Sequence, residues 1–254
     1  MTQAFETSLP AAALADGPAP EMSDRYVYID TREIARLMQR EGWELAATRG
    51  VRRRDGSPAV YSRHRLDFQR PDAKLELGGL LPRIIFTNSH DGSCRAEARL
   101  GFMRVVCTNG LMVWNRATLS RTRHVGQDAL SFVHEMQRME MNFGAEVETV
   151  ERWHRKQLTA AQRTEYALLV NQLRWGDAWA VEPDVLLAPR RMEDDDGTLW
   201  TAFNRAQENT TRGGQPARAR SGRRILTQPL TSIAADTKFN ETLWRMTDEL
   251  SQYW

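Results

Sequence analysis

A chain of 254 residues is long enough for one large domain or two small ones with a sizeable core. Its formal net charge of +2 is, taken globally, weak evidence for a polyanionic partner, so attraction to one would have to come from local clusters. No stretch reaches the apolar length of a bilayer span, and the first residues lack a signal peptide's basic start and continuous apolar centre, so the expectation is a cytoplasmic protein with no membrane partner.

The first 24 residues, rich in Ala and Pro and without apolar periodicity, are expected to form a flexible tail, leaving residues 25–254 as a single domain. "DTREIARLMQREGWEL" then reads as a short helix. Asp30 is placed to cap it, Glu33 completes the capping pattern, Ile34, Leu37 and Met38 share a face, and Gly42 ends it. A strand from about Trp43 to Thr48 follows. "RRRDGS" supplies an Asp55-Gly56 turn, and "AVYSRHRLDF" alternates Val60, Ser62, His64 and Leu66 against Tyr61, Arg63, Arg65 and Asp67, which predicts a hairpin.

The apolar run "LLPRIIFTN" leads into "SHDGSC", where Asp91-Gly92 between two β-rich runs marks a second hairpin. "CRAEARLGFMRVVCTNGLMVW" reads as one long strand or two broken near Gly101, with Asn109-Gly110 a further reversal or bulge. Cys94 and Cys107 lack CxxC spacing and lie in strand-like sequence, so buried reduced thiols are expected.

From Gln127 to about Trp153, Phe132, Met136, Met139, Phe143, Val147, Val150 and Trp153 recur at steps of three and four, predicting a long helix with a place to bend at Gly144. Thr159 and Gln162 form a second capping pattern, opening a helix that carries Tyr166, Leu169, Val170 and Leu173 and stops near Gly176. Pro183 and Pro189 fall in a connecting loop. "EDDDGTLWTAFNRAQENTTRGG" gives a helix with an acidic start and Gly213-Gly214 beyond its end, and a last helix runs from about Lys238 to Leu250, burying Phe239, Leu243, Met246 and Leu250. Strands gathered in the N-terminal half and helices in the C-terminal half predict an α+β fold, an antiparallel sheet with several helices packed on it.

No motif points to catalysis. His90 and Asp91 could act as an acid-base pair or metal donors, but a hairpin tip hydrogen-bonded to its own backbone accounts for them more simply. His124, His134 and His154 show no HExxH spacing and read as structural histidines. Asp194, Asp195 and Asp196 could hold magnesium, yet acids at a helix start are already favoured by its dipole. No metal or other cofactor is expected.

Two basic clusters suggest binding. The first is Arg49, Arg52, Arg53 and Arg54 at a hairpin tip, joined by Arg63, His64 and Arg65 on the returning strand. The second is "RGGQPARARSGRR", a loop holding Arg212, Arg218, Arg220, Arg223 and Arg224 with no acid among them. Such groups neutralise phosphates in a salt-dependent, sequence-indifferent way, although a merely solvating loop has the same composition. Tyr61, Trp114 and Trp200 could stack on unpaired bases, but large aromatics at such positions usually pack inside.

"IIFTNSHDGSC", "FMRVVCTNGLMVW", "LWTAFNRAQENTTRGG" and "FNETLWRMTDEL", in that order from about Ile84 to Leu250, resemble the landmarks of the phage/plasmid-like protein family, a domain of unknown function carried by prophages, phages and conjugative plasmids. The chain departs from the pattern at Cys94 and in "LTQPLTSIAADTKFN". The resemblance implies a cytoplasmic protein of mobile elements and brings no catalytic residues. Its polar landmarks here are Asn88, Ser89, His90, Asp91, Gly92, Asn109, Asn204, Gln207, Glu208 and Asn209. Asn204 and Glu208, four apart, share a helix face, where amides can read base edges or tie the helix to a loop.

The leading expectation is therefore a non-enzymatic accessory in DNA transactions, binding nucleic acid, single-stranded DNA included, through the two arginine-rich segments. The alternative is an inhibitor of a host defence complex that acts by protein contact.

Overall fold

Asp30 caps the first helix, α1 (Thr31–Arg40), its carboxylate accepting from the backbone N–H groups of Arg32 and Glu33. Thr31, Ile34, Ala35 and Met38 form its buried face, and Gly42, at φ 84°, turns the chain toward the sheet. The computed structural model describes residues 8–57, 59–70, 80–104, 110–112, 119–122, 129–140, 143–190 and 196–254. The chain divides into two compact units, Met1–Gly144 and Ala145–Trp254, where the sequence suggests one domain.

In the first unit the strands are β1 (Glu44–Gly50), β2 (His64–Gln69), β3 (Leu80–Asn88), β4 (Ala96–Arg104), β5 (Gly110–Met112) and β6 (Leu119–Thr122). Among the described residues they form one antiparallel sheet in the order β1-β2-β3-β4, with β5 and β6 both pairing β4. The register places Leu66, Phe86 and Ala98 in one row and Phe68, Ile84 and Leu100 in the next, all fully buried on one face. α1 lies on that face and packs on α2 (Ala129–Glu140), which buries Val133, Met136 and Met139. Of the long helix expected from Gln127, residues 129–140 and 143–155 are helical, the latter as α3 (Phe143–Arg155), and residues 127–128 and 141–142 lie outside the described residues.

The opposite face is charged yet buried as well. Arg65 forks onto Asp67 through Nε (2.5 Å) and Nη2 (2.8 Å), Arg83 lies 3.6 Å from the same carboxylate, and Arg99 meets Glu97 at 2.5 Å. Charges this deep are tolerated only when paired, because desolvation costs several kcal/mol per ion.

Residues 8–24, expected as a tail outside the core, are part of it. Leu9, Ala12, Ala13, Ala15 and Ala19 are buried around a short 3-10 turn, Ala11–Leu14. The segment lies close against β1 at Gly50, where an added Cβ would fall 2.8 Å from Cβ of Pro10. Apolar periodicity does not register such packing, because alanine contributes contact without pattern.

The second unit contains α4 (Ala160–Trp175), α5 (Pro183–Leu186), α6 (Leu199–Arg212), α7 (Ile233–Tyr253) and a small antiparallel sheet of β7 (Trp179–Ala180), β8 (Pro216–Ala219) and β9 (Arg224–Leu226) in the order β7-β8-β9. The capping box at α4 is complete in both directions: Thr159 Oγ1 accepts from Gln162 N–H (3.2 Å), and Gln162 Oε1 accepts from Thr159 N–H (2.9 Å). α7 begins at Ile233 under a Ser232 cap, earlier than the sequence predicts. α6 is buried along nearly its whole length. Around it Trp153 sits 4.5 Å from the ring of Trp244, 5.2 Å from Phe203 and 6.3 Å from Trp200. The α+β class is as predicted. Among the described residues no helix is long and apolar enough to cross a membrane.

Candidate nucleic-acid interface

At the β1–β2 tip, Ala59 N–H donates to Val51 O (3.1 Å), Arg53 N–H to Ser57 O (2.8 Å) and Gly56 N–H to Arg53 O (3.0 Å), with Gly56 at φ 83°. Asp55 accepts from both Ser57 N–H (2.9 Å) and Ser57 Oγ (2.6 Å), and these bonds hold its carboxyl below the usual range. Arg52, Arg53 and Arg54 are exposed, and none is held in an ion pair among the described residues. Arg49 is exposed on β1. Arg65 leaves the expected set, because its guanidinium is only 3% exposed and committed to Asp67.

The pairing of His64 with Asn88 brings the β3–β4 turn to the same end of the sheet as this tip. Arg63 crosses the gap, its Nη2 donating to Ser93 O (3.0 Å), and Arg95, which sequence reasoning missed, is exposed beside it. The sheet register was the signal that could have found Arg95.

The "NSHDGSC" turn is a hairpin tip that is roofed over. Asp91 Oδ1 accepts from Ser93 N–H (3.0 Å) and Gly92 takes φ 72°, while Ser89 Oγ both donates to Cys94 O and accepts from Cys94 N–H. His90 is fully buried: its N–H donates to Tyr61 O and its carbonyl accepts from Ala19 N–H, both at 2.8 Å. Tyr26 OH donates to Ser89 O (2.8 Å). Asn88 Nδ2 donates to Ile29 O (3.2 Å) and Thr31 Oγ1 (3.1 Å). Asn88, Ser89 and His90 thus anchor the N-terminal segment to the sheet. Among the described residues, no three His, Cys, Asp or Glu are grouped as a metal site. Asn109, Cys107, Trp114, His124, Asp194 and Asp195 lie outside the described residues.

His64 completes this knot. Its Nδ1–H donates to Ser62 O (3.0 Å), which leaves Nε2 to accept from Thr31 Oγ1 (2.8 Å), and burial pushes its pKa down to about 4 from 6.5. The unfolded chain therefore takes up this proton at a higher pH than the folded one. Stability is full above the unfolded value and is lost as pH falls through the window from 6.5 to about 4. The expected loss is about 3 kcal/mol, read by urea denaturation at a series of pH values, and His64→Gln should flatten that slope.

In the second unit, the segment read as an arginine-rich loop is an ordered hairpin. β8 and β9 are joined through Ala219 N–H to Arg223 O (2.9 Å) and Gly222 N–H to Ala219 O (2.8 Å), with Gly222 at φ 82°. Arg218, Arg220, Arg223 and Arg224 are exposed, and none is held in an ion pair among the described residues. Arg212 is 40% exposed and lies 3.2 Å from Glu208. A groove of about 250 Å³ runs beside this hairpin, lined by Ala180, Glu182, Val185, Pro216, Ala217, Arg218, Arg224 and Ile225.

The polar landmarks of α6 are buried ties. Asn204 Nδ2 donates to Trp200 O (2.7 Å), Gln207 Nε2 to Asn240 Oδ1 (2.9 Å), and Asn209 Nδ2 to Leu186 O (2.8 Å) and Ala188 O (3.1 Å). Glu208 is likewise buried, with Arg212 of the same helix 3.2 Å away; Gln207 and Asn209 hold the helix to its neighbours, whereas the Asn204 bond stays within it. Asp196 serves the helix start, accepting from Thr198 Oγ1 and Thr201 Oγ1, each at 2.8 Å. Trp200 is 1% exposed and Tyr61 half-buried.

These features define an α+β protein with exposed arginines at the turns of its β1–β2 and β8–β9 hairpins. The family described as Domain of unknown function (DUF932) matches residues 20–244, and the chain belongs to it. UPF0380 protein YfjQ and UPF0380 protein YafZ of Escherichia coli (strain K12) are each 33% identical to it over 231 residues, covering 90% of this chain and 83% of theirs. No solved structure matches.

Proposed function

We infer that the protein binds nucleic acid as a cytoplasmic accessory in the DNA transactions of a mobile genetic element. The observation that carries this reading is the β8–β9 hairpin, whose exposed arginines have no carboxylate partner among the described residues. An arginine without a protein partner keeps its fork of donors for phosphate, and a two-stranded ribbon is narrow enough to follow a nucleic-acid groove. The β1–β2 tip offers Arg53 and Arg54 in the same way, and Arg52 offers the donors left by its Nη1 bond to Gly56 O (3.3 Å). The likeness of "IIFTNSHDGSC" and "LWTAFNRAQENTTRGG" to the phage/plasmid-like pattern supports the mobile-element setting.

Fluorescence anisotropy with labelled single- and double-stranded oligonucleotides across a salt series tests it. Binding should weaken steeply with salt, and the paired change Arg223→Glu and Arg224→Glu should weaken it at least about tenfold while reducing the log–log salt slope by roughly 1.5. No binding at low salt, or binding indifferent to that reversal, overturns the reading. A stoichiometric protein captured from host lysate and retained after nuclease treatment would replace it with inhibition of a host complex.

A further inference from the structure

The groove beside the β8–β9 hairpin has a charge arrangement that favours a particular kind of nucleic acid. Thr227 N–H donates to Gln215 O (2.9 Å) and Ala219 N–H to Arg223 O (2.9 Å), and the register pairs Arg218 with Arg224. Alternation along an antiparallel ladder then makes Arg218 and Arg224 a non-hydrogen-bonded pair, the position where opposing side chains stand closest. Two like charges directly opposite each other destabilise a hairpin, and an anion lying between them reverses the sign of that interaction. Both arginines line the groove, whose other walls include Ala180, Val185 and Pro216.

An apolar slot with two guanidinium groups at its side suits a ligand that is flat and apolar at one end and anionic at the other. At about 250 Å³ it is smaller than the ~300–1,000 Å³ typical of drug-sized sites, so it has room for one ring system rather than several. Glu182 also lines it and can accept from an exocyclic amino group, as carboxylates do from cytosine N4. A base stacked within a duplex cannot enter such a slot.

Resting on the nucleic-acid reading above, we propose that this groove holds one unpaired, amino-bearing base of a single strand, with the adjoining phosphate on Arg218 and Arg224. Anisotropy with a short oligo(dC) and an abasic strand of equal length and charge tests this on the unmodified protein. The oligo(dC) should bind roughly tenfold more tightly. Ala180→Trp, at an exposed position in the groove wall, should erase that difference, with circular dichroism confirming the fold. Equal binding of the two strands by the unmodified protein overturns the base pocket and leaves phosphate binding standing, as does a folded A180W protein that still prefers oligo(dC). Failure of both strands to bind at low salt ends the nucleic-acid reading itself.

Discussion

Gly213→Ala is expected to lower the stability of the helical unit by about 3–5 kcal/mol. Gly213 ends α6 at φ 65° and ψ −156°, a region of backbone space that is essentially reserved for glycine. An added Cβ would also lie 2.6 Å from Gln228 C and Pro229 N and 2.8 Å from Thr227 O. All three are backbone atoms of the segment leaving β9, so no rotamer change relieves the overlap, and the chain must shift where it enters the arginine hairpin. Chemical denaturation gives the stability change. Gly214→Ala separates the two causes, since Gly214 has φ 76° but nothing within 4 Å of its would-be Cβ. It should cost about 1–2 kcal/mol, the conformational part alone. Equal effects at the two positions would show that contact with residues 227–229 is not what makes Gly213 essential.

Trp153→Ala should cost about 3–5 kcal/mol, because it removes a fully buried indole from the centre of an aromatic cluster with Trp200, Phe203 and Trp244. The spread depends on how far the three neighbouring rings collapse into the space. Trp153→Phe keeps a ring against Trp244 and should recover more than half of the loss. Urea unfolding followed by far-ultraviolet circular dichroism measures both variants without relying on the tryptophan signal that the change itself removes.

Much of the local structure was readable from the residues. Asp30, Thr159 with Gln162, and Asp91-Gly92 act within a few positions of themselves, so their caps and turn are written in adjacent sequence. The α+β division followed from where alternating and helical periods fall. What stayed hidden depends on partners far along the chain. The β8 and β9 strands are too short and polar to show a period, and their order comes from pairing with each other and with β7. Arg65 looks like its neighbours Arg63 and Arg49 in sequence, yet Asp67, two positions along the same strand face, takes it out of the surface set. The amides of α6 read equally well as ligand contacts and as ties, and only the positions of Leu186, Ala188 and Asn240 decide between them. For the candidate interface, the sequence supplied the arginines while the register supplied the Arg218–Arg224 pairing and the adjacent groove.

The hydrogen bonds of Ala19 to His90 and Tyr26 to Ser89 impose an order on the assembly of the sheet unit. During synthesis, at roughly 5–20 residues per second, residues 8–24 leave the ribosome well before Cys94, yet their docking surface does not exist until the turn through Cys94 has emerged. Throughout that interval Leu9 and the alanines around it have no sheet to cover them, so this segment stays open to solvent while the chain up to Cys94 is made.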